Sequence, residues 1–234
     1  VEDIRKAIDA GAEGIGLFRT EFIFISETRL PDFHNQSEIY LEALKACQGR
    51  PLTVRTLDIG GDKALPYLPM TKEDNPFLGL RGIRFCLANK DLLRTQLQAL
   101  IDAFDKADKP CKLRIMFPMI DTPEELKECR DILLEVAGGS LPEDIEIGIM
   151  VETPAAVFNA EELASGCDFF SIGTNDLTQY IMAADRGNSA IAYLYDVNSP
   201  AVRKAVEMTI QAAHKRGITV GVCGEAASDP LSAE

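Results

Sequence analysis

Short apolar runs alternate with longer segments of helical periodicity along most of the chain. Each apolar run ends in a polar cluster, and the segment that follows has apolar residues three and four positions apart. This alternation is typical of parallel strands that are joined by crossover helices. It predicts strands at residues 14–18, 52–54 with an extension to 59, 113–119, 147–151, 169–172 and 219–222. It predicts helices at residues 38–47, 90–106, 123–137, 155–164 and 200–215.

Two of these helices have a clear start signal. Thr122, Pro123 and Glu125 form a capping box with proline at the first helical position, and Ser199 precedes Pro200 in the same way. A hydroxyl side chain before a helix accepts a hydrogen bond from its first turn, and proline fits the first helical position. We therefore expect helices to begin at residues 123 and 200.

The alternation of strands and helices fits two architectures, an open doubly wound sheet and a (β/α)₈ barrel. No Gly-x-Gly-x-x-Gly or Walker sequence follows a strand, which disfavours the nucleotide-binding versions of the open sheet. The length of 234 residues is near the size at which single barrels occur. We therefore expect an α/β fold of the (β/α)₈ TIM barrel type, with residues 1–234 forming one domain. Because the chain begins at Val1 without methionine, we expect it to be a piece of a longer protein.

Charge and composition narrow the classes of partner. Lys and Arg number 24 against 37 Asp and Glu, a formal net charge of −13 that repels nucleic acid and anionic membranes. Apolar runs fall well short of the about 20 residues of a membrane-spanning helix. We expect a cytoplasmic protein that binds neither nucleic acid nor membrane.

Six scattered cysteines without a CxxC pair predict neither a disulfide framework nor a zinc site, and most should pack as small hydrophobic residues.

Four arginines stand at or near the carboxyl ends of predicted strands, the edge at which α/β folds build their sites. Guanidinium groups bind carboxylate and phosphate bidentately, so several together suit an anion that carries both groups. The alternative is that each arginine pairs with a nearby acid. Lys63 also follows a Gly-Gly-Asp turn that could bind an anion. The four arginines are Arg19, Arg55, Arg81 and Arg186.

Two acids and a cysteine stand at the same predicted edge. Glu152 and Asp176 follow neighbouring strands, where two carboxylates and ligand oxygens would make a Mg²⁺ or Mn²⁺ site. The alternative is that both acids cap helices. Cys223 lies among glycines that leave its thiol uncrowded, and an ordinary thiol is mostly protonated at neutral pH, so it can donate a proton as well as attack. The alternative is a buried structural cysteine.

Five motifs in order carry a resemblance to a known family. Residues 14–22, 55–63, 148–155, 173–180 and 222–225 resemble the phosphoenolpyruvate-binding barrel of phosphoenolpyruvate-protein phosphotransferase, Enzyme I of the bacterial sugar phosphotransferase system. The resemblance implies a (β/α)₈ barrel with one strand before Val1 and another after Glu234. It also implies that the phosphoryl group passes to a histidine on a separate N-terminal domain, which docks the carrier protein HPr, and that the protein is a homodimer.

The same resemblance assigns a role to each candidate residue. It implies that Arg19, Arg55, Arg81 and Arg186 hold the phosphate and carboxylate, with Asn175 at the phosphate. Glu152 and Asp176 would ligate Mg²⁺, for which Mn²⁺ can substitute. Cys223 would protonate the enolate carbon to give pyruvate. Apart from the resemblance, the nearby carboxylate of Glu225 is expected to keep the thiol partly protonated. Without the histidine domain, the chain is not expected to turn over alone.

Three other functions stay open at this point. Pyruvate phosphate dikinase and phosphoenolpyruvate synthase have related barrels, although the motifs at residues 16–22 and 223–227 favour Enzyme I. A second alternative is a non-catalytic module for ligand binding and dimerisation, in which the site only senses phosphoenolpyruvate. A Mg²⁺-dependent carbon–carbon lyase on a similar barrel would explain Glu152 and Asp176, but not the four arginines with Cys223.

Overall fold

The computed structural model describes residues 1–61, 65, 67, 68, 72–107 and 111–228, without the side chains of Glu225 and Ser228. Its strands are Ile15–Arg19 (β1), Leu52–Arg55 (β2), Leu113–Phe117 (β3), Ile145–Val151 (β4), Phe169–Gly173 (β5) and Thr219–Cys223 (β6). Its α-helices are Glu2–Asp9 (α1), Glu21–Ile25 (α2), Phe33–Ala46 (α3), Gly82–Ala88 (α4), Lys90–Asp105 (α5), Pro123–Val136 (α6), Pro154–Phe158 (α7), Ala160–Ala164 (α8), Thr174–Met182 (α9) and Pro200–Arg216 (α10). Short 3₁₀ helices cover Pro76–Leu78, Ser189–Leu194 and Glu225–Ser228.

Contacts within the chain define two compact units. The first unit comprises Val1–Phe117 and Glu128–Glu146, and the second comprises Pro118–Lys127 and Ile147–Glu234. The expectation of one domain stays a prediction.

In the first unit, β1 pairs with β2 and β2 pairs with β3, all in parallel. The register sets Arg19 of β1 beside Arg55 of β2. Each connection between these strands contains helices, as parallel pairing requires. Helix α3 packs on α5, with Tyr40, Leu44 and Leu93 buried. The two arginines that end their strands are therefore neighbours at one edge.

In the second unit, β4 pairs with β5 and β5 pairs with β6, again in parallel. The register aligns Val151 with Ile172, and Gly173 with Cys223. Helix α10 packs on α7 and α8. The ends of the three strands lie at matching levels, so the residues that follow β4 and β5 are placed beside the end of β6.

The predicted strands are confirmed, with boundaries shifted by a few residues. The predicted extension of the second strand to residue 59 is wrong, because β2 ends at Arg55. Both start signals are confirmed: Glu125 Oε2 accepts from the backbone N–H of Thr122 at 3.1 Å, and Ser199 Oγ accepts from Val202 N–H at 3.3 Å. Local side-chain capping therefore fixed these two helix starts, as the sequence indicated.

The prediction of one helix at residues 155–164 is wrong, because two short helices meet at Asn159. The backbone N–H of Asn159 closes α7 by donating to Ala155 O, and Asn159 also precedes the first residue of α8. Its side-chain Nδ2 donates to Asp121 O at 2.9 Å. Asparagine competes with the helix by making such local and tertiary hydrogen bonds, which explains the break.

Five of the six cysteines are buried and Cys223 is half-buried. This confirms that most thiols pack as small hydrophobic residues. Burial raises the pKa of the Cys47 thiol to about 12, and burial together with the charge of Asp58 raises that of Cys86 to about 12. Among the described residues, no helix has both the length and the apolar character needed to cross a membrane.

One titratable contact joins α3 to α5. Asp102 of α5 accepts a hydrogen bond from Ser37 of α3, and its Oδ2 lies 2.6 Å from Lys106 Nζ. The hydrogen bond from Lys106 and then that from Ser37 hold the pKa of Asp102 below its ordinary value. A carboxyl whose pKa is depressed in the folded state stabilises the fold above its unfolded-state pKa, and this contribution is lost as the pH falls through the folded pKa.

We therefore predict that Asp102→Asn lowers the free energy of unfolding at pH 7 by about 1 kcal/mol. The difference from the unchanged protein should shrink as the pH falls below about 4, the ordinary range of an aspartate. Urea unfolding followed by circular dichroism at several pH values measures both. Asp105→Asn, an exposed acid on the same helix, is the control and should show neither effect. A deficit in Asp102→Asn of equal size at pH 3 and pH 7 would contradict the argument.

Candidate functional site

Two arginines end β1 and β2 in the first unit, in very different environments. Arg19 is exposed, and its guanidinium carbon lies 4.9 Å from the centre of the Phe22 ring. Arg55 is only 5% exposed. A guanidinium that stacks on an aromatic face at the surface keeps access to solvent, whereas a buried one needs charged partners. The structure thus gives one accessible and one enclosed cation at neighbouring strand ends.

The partners of the enclosed cation form a buried ionic cluster of Glu21, Arg55, Asp58 and Arg81, which we call the arginine cluster. Arg55 Nη2 lies 2.7 Å from Glu21 Oε1 and 3.2 Å from Asp58 Oδ2. Arg81 Nη2 lies 3.3 Å from both Asp58 oxygens. Two positive and two negative groups balance one another, which offsets the cost of removing them from water.

Gly60 allows Arg81 to reach this cluster. Its φ is +103°, in the left-handed region, and a Cβ atom there would lie 2.6 Å from Arg81 Cβ. The backbone N–H of Gly82 donates to Ile59 O at 3.0 Å, which brings these two distant positions of the chain into contact. The segment after β2 and the segment before α4 therefore lie in contact, with Arg81 between them. The predicted anion-binding turn at Asp62 and Lys63 lies outside the described residues.

The structure bears on the alternative in which each arginine pairs with a nearby acid. Arg55 and Arg81 do pair with acids in the first unit, and Arg186 Nη1 lies 3.9 Å from Asp176 Oδ2 in the second. A guanidinium has five N–H donors in a planar fork, so contact with a carboxylate and contact with a ligand are compatible. The ion pairs also hold the side chains in defined positions.

In the second unit, Glu152 follows the last residue of β4 and is 1% exposed. Gly173, at the end of β5, leaves room for it: a Cβ atom on Gly173 would lie 3.0 Å from Glu152 Oε2 and 2.9 Å from Met150 Cγ. Any larger residue at this position would have to displace the carboxylate or the methionine side chain. Because Gly173 has no side chain, the Glu152 carboxylate can lie against the end of β5.

A backbone donor orients the Glu152 carboxylate. Its Oε1 accepts from the backbone N–H of Met119 at 2.8 Å. Met119 has a φ of +56°, which is uncommon for a residue other than glycine. The helix that follows is capped by Thr153, whose Oγ1 accepts from Ala156 N–H at 3.1 Å. Thr153 supplies this cap, which disfavours the alternative in which Glu152 caps the helix.

Asp176 lies in the first turn of α9 and is 7% exposed. A carboxylate is stabilised at this end of a helix by the helix dipole, so the capping alternative stays open for Asp176.

The backbone N–H of Arg186 donates to Gln179 Oε1 at 3.1 Å, which ties the loop after α9 to the helix. The carbonyl of Asn175 accepts from the Tyr195 hydroxyl at 3.0 Å.

Glu152 and Asp176 fit a magnesium ion better than a metal held by protein alone. Among the described residues, no group of three or more His, Cys, Asp or Glu side chains is arranged to hold a metal. Mg²⁺ is usually bound through one or two carboxylates, with water and substrate phosphates completing its shell. The two buried acids of the second unit supply that number of hard oxygen donors.

Cys223 ends β6 beside Gly173 and is half-buried. Its Sγ donates to Ile172 O at 3.5 Å, and its carbonyl accepts from Thr174 Oγ1 at 3.3 Å. A carbonyl oxygen can only accept, so in this contact the thiol is the donor. The predicted influence of Glu225 on this thiol falls on a side chain outside the described part of the chain.

Sequence reasoning missed several residues that support these groups. The Thr20 hydroxyl donates to Arg55 O and accepts from the Gln96 amide, and the Met119 N–H orients Glu152. Gln96 had a detectable signal, because it lies three residues after Leu93 on the buried face of α5, a position where the helical period requires an apolar residue. The Met119 contact had none, since a backbone N–H is the same in every residue type but proline.

Comparison with known proteins identifies the family. A family model described as "PEP-utilising enzyme, PEP-binding domain" matches residues 1–234. The phosphoenolpyruvate-protein phosphotransferase of Geobacillus stearothermophilus is 49% identical over 237 residues, which cover 99% of this chain and 40% of the relative. That of Bacillus subtilis (strain 168) is 47% identical over 237 residues, with 99% and 41% covered. That of Haloferax volcanii is 49% identical over 234 residues, with 97% and 41% covered. The chain thus spans about two-fifths of the length of these relatives.

Two solved structures bear on the fold alone. The citrate synthase SbnG gives a TM-score of 0.55 at 12% identity, with 96% of this chain and 73% of that chain covered. A citrate lyase from Burkholderia xenovorans LB400 gives 0.54 at 17% identity, with 94% and 59% covered. These TIM-barrel-like neighbours confirm the predicted α/β barrel class over the open doubly wound sheet. Since the family model matches all of residues 1–234, the chain belongs to the PEP-binding domain family of PEP-utilising enzymes.

Proposed function

We propose that this chain binds phosphoenolpyruvate and Mg²⁺ as the PEP-binding domain of an Enzyme I-type phosphotransferase. In the proposed reaction, the phosphoryl group passes to a histidine on a separate N-terminal domain, and pyruvate is released. The observation that carries the proposal is the identity of 47–49% between 97–99% of this chain and proteins named phosphoenolpyruvate-protein phosphotransferase. Those names favour Enzyme I over pyruvate phosphate dikinase or phosphoenolpyruvate synthase.

The arginines explain how an acidic protein can bind a small anion that bears a phosphate and a carboxylate. With a net charge of −13, the overall field opposes such a ligand, so local cations must hold it. We assign this role to Arg19, Arg55, Arg81 and Arg186, with Asn175 at the phosphate. The ion pairs of the arginine cluster fix the rotamers of Arg55 and Arg81 before the ligand arrives, which reduces the entropy cost of binding.

Glu152 and Asp176 are the proposed ligands of Mg²⁺. When bound, the ion supplies positive charge that stabilises negative charge developing on substrate oxygen. The contributions of the chain itself are positional: Met119 N–H holds one Glu152 oxygen, and Gly173 leaves space for the other. An acid held in this way by backbone atoms keeps its position when a ligand leaves.

Cys223 is the proposed proton donor. When the phosphoryl group leaves, the electron pair of the broken bond stays on the enol oxygen and gives the enolate of pyruvate. The enolate carbon then takes the proton from Cys223 Sγ, which forms pyruvate and leaves a thiolate. Because Cys223 is half-buried, the thiolate can be reprotonated from solvent. The reverse sequence makes phosphoenolpyruvate.

The partners we propose follow from the family and not from the structure. They are the N-terminal phosphohistidine domain of the same protein, the carrier HPr that this domain phosphorylates, and a second copy in a homodimer. The cytoplasm is the proposed location. The relatives, of which this chain spans about two-fifths, have the additional length that such a domain needs.

The first prediction concerns the arginines. We expect Arg55→Ala and Arg81→Ala to weaken phosphoenolpyruvate binding by about tenfold to hundredfold, because each removes a charge-assisted hydrogen-bond donor. Arg19→Ala should weaken it without loss of stability, since Arg19 is exposed. Isothermal titration calorimetry with Mg²⁺ on the full-length protein measures the affinity. The control is Arg94→Ala, which removes a cation of α5 that pairs with Glu135 of α6. Unchanged affinity in both the Arg55 and Arg81 variants would remove the arginine assignment.

The second prediction concerns the metal. We expect Glu152→Ala and Asp176→Ala each to abolish tight Mn²⁺ binding together with activity, because a hard ion with two protein ligands loses half of them. Electron paramagnetic resonance counts bound Mn²⁺ independently of turnover. The exposed acid Glu161, paired with Lys215, provides the control Glu161→Ala, which should bind normally. If Mn²⁺ binding survives both single changes, the two acids are not its ligands.

The third prediction concerns Cys223. In the full-length enzyme, Cys223→Ala should retain phosphoenolpyruvate affinity but lose pyruvate formation by about a hundredfold or more, the usual contribution of a positioned general acid. Cys167→Ala, at a buried cysteine of the same unit, should form pyruvate normally. Near-normal pyruvate formation by Cys223→Ala would refute the role. A phosphocysteine in the unchanged enzyme would show that the thiol attacks phosphorus instead.

A further inference from the structure

Gln96 is a buried polar residue that the proposed reaction does not use. It lies on α5 with 0% of its surface exposed, between Leu93 and Leu97 on the apolar face of the helix. An amide in such a position is costly unless its hydrogen bonds are made. Those bonds reach residues on three other segments of the first unit.

The Gln96 amide makes hydrogen bonds through both of its polar atoms. Its Oε1 accepts from the backbone N–H of Leu57 at 2.9 Å. Its Nε2 donates to Thr20 Oγ1 at 3.1 Å and to the Tyr40 hydroxyl at 3.0 Å. Because the Leu57 N–H can only donate, the atom facing it must be the amide oxygen, which fixes the orientation of the side chain.

One of these partners relays the contact to the arginine cluster. Thr20 Oγ1, which accepts from Gln96, donates its own proton to Arg55 O at 2.9 Å. Gln96 therefore holds the backbone on both sides of Thr56, directly at Leu57 N–H and through Thr20 at Arg55 O. This short segment carries Arg55 and leads to Asp58, which contacts both arginines of the cluster.

The third partner leads elsewhere. The Tyr40 hydroxyl donates to Gln36 Oε1 at 3.3 Å, and Gln36 Nε2 donates to Pro31 O at 2.9 Å. This branch stays within α3 and the residue before its cap, and reaches no residue of the arginine cluster. The amide thus has one branch toward the proposed binding arginines and another toward the helix packing.

We propose that Gln96 is a positioning residue, which sets the place of Arg55 by clamping the backbone from Arg55 to Leu57 through its amide and the Thr20 hydroxyl. The inference rests on the proposed function, because it assumes that Arg55 binds the substrate anion. Gln96 touches no substrate in this scheme, and its effect passes through the backbone of β2. A displaced arginine weakens binding of the anion without removing the proton donor.

Gln96→Glu replaces the donor Nε2 with an acceptor oxygen and changes the shape of the side chain little. A carboxylate still accepts from Leu57 N–H but cannot donate to Thr20. The Thr20 hydroxyl has a single proton, so it must choose between the carboxylate and Arg55 O. The variant should therefore loosen the clamp at Arg55. Thr20→Val breaks the same relay while Gln96 stays intact, and it serves if Gln96→Glu fails to fold.

The matched control is Tyr40→Phe. Like Thr20→Val, it removes one partner of Gln96 Nε2 by deleting one buried hydroxyl, but on the branch that leads away from Arg55. We expect Gln96→Glu and Thr20→Val to raise the KM for phosphoenolpyruvate by about tenfold in the full-length phosphotransferase, with kcat changed much less. Tyr40→Phe should lower the thermal midpoint as Thr20→Val does but leave KM unchanged. Steady-state kinetics and thermal unfolding measure both.

Two results would overturn the inference. A further variant, Arg55→Ala, distinguishes failure of the inference from failure of the proposed function. If Thr20→Val and Tyr40→Phe raise KM equally, the network acts through stability alone. If Arg55→Ala raises KM while Gln96→Glu and Thr20→Val do not, Arg55 binds substrate but Gln96 does not position it. If Arg55→Ala itself leaves KM unchanged, the arginine assignment of the proposed function fails, and Gln96 has no binding arginine to position.

Discussion

A guanidinium group that is removed from water needs an anion beside it, and in the first unit one carboxylate is shared between two arginines. Asp58 lies within 3.3 Å of both Arg55 and Arg81. The close approach at Gly60 and the hydrogen bond from Gly82 N–H to Ile59 O bring Arg81 to the other three members of the arginine cluster. Loss of Asp58 would remove an anionic partner from two buried cations at once, which is far more costly than loss of a surface pair.

In the second unit, backbone atoms position a buried carboxylate. The Glu152 carboxylate is held by Met119 N–H and lies against a glycine at the end of β5. The arginine cluster and the Glu152 site therefore differ in the contacts that position them: side-chain ion pairs hold the first, and a backbone N–H orients the carboxylate of the second.

The predictable part of this structure is the part set by local signals. Strand positions follow from apolar runs, and the helix starts at Pro123 and Pro200 follow from hydroxyl caps, so both were found from the sequence. The break at Asn159 depends on a hydrogen bond to Asp121, 38 residues away, and no local pattern reveals it. The family motifs contain Arg19, Arg55, Glu152 and Asp176, whereas Arg81 and Arg186 lie outside them. The motifs did not show that Asp58 is shared between two arginines, because Asp58 and Arg81 are 23 residues apart in the sequence and no local pattern reveals their contact.

The burial of the cysteines has a consequence for the chemical reactivity of the chain. A thiol reacts with alkylating agents and oxidants as its thiolate and only when the reagent reaches it. Burial denies access to five of the six, and the pKa of about 12 for Cys47 and Cys86 suppresses their thiolates as well. Cys223, at the end of β6, is the partly exposed thiol. A chain with six cysteines therefore presents to solvent the thiol chemistry of a protein with one.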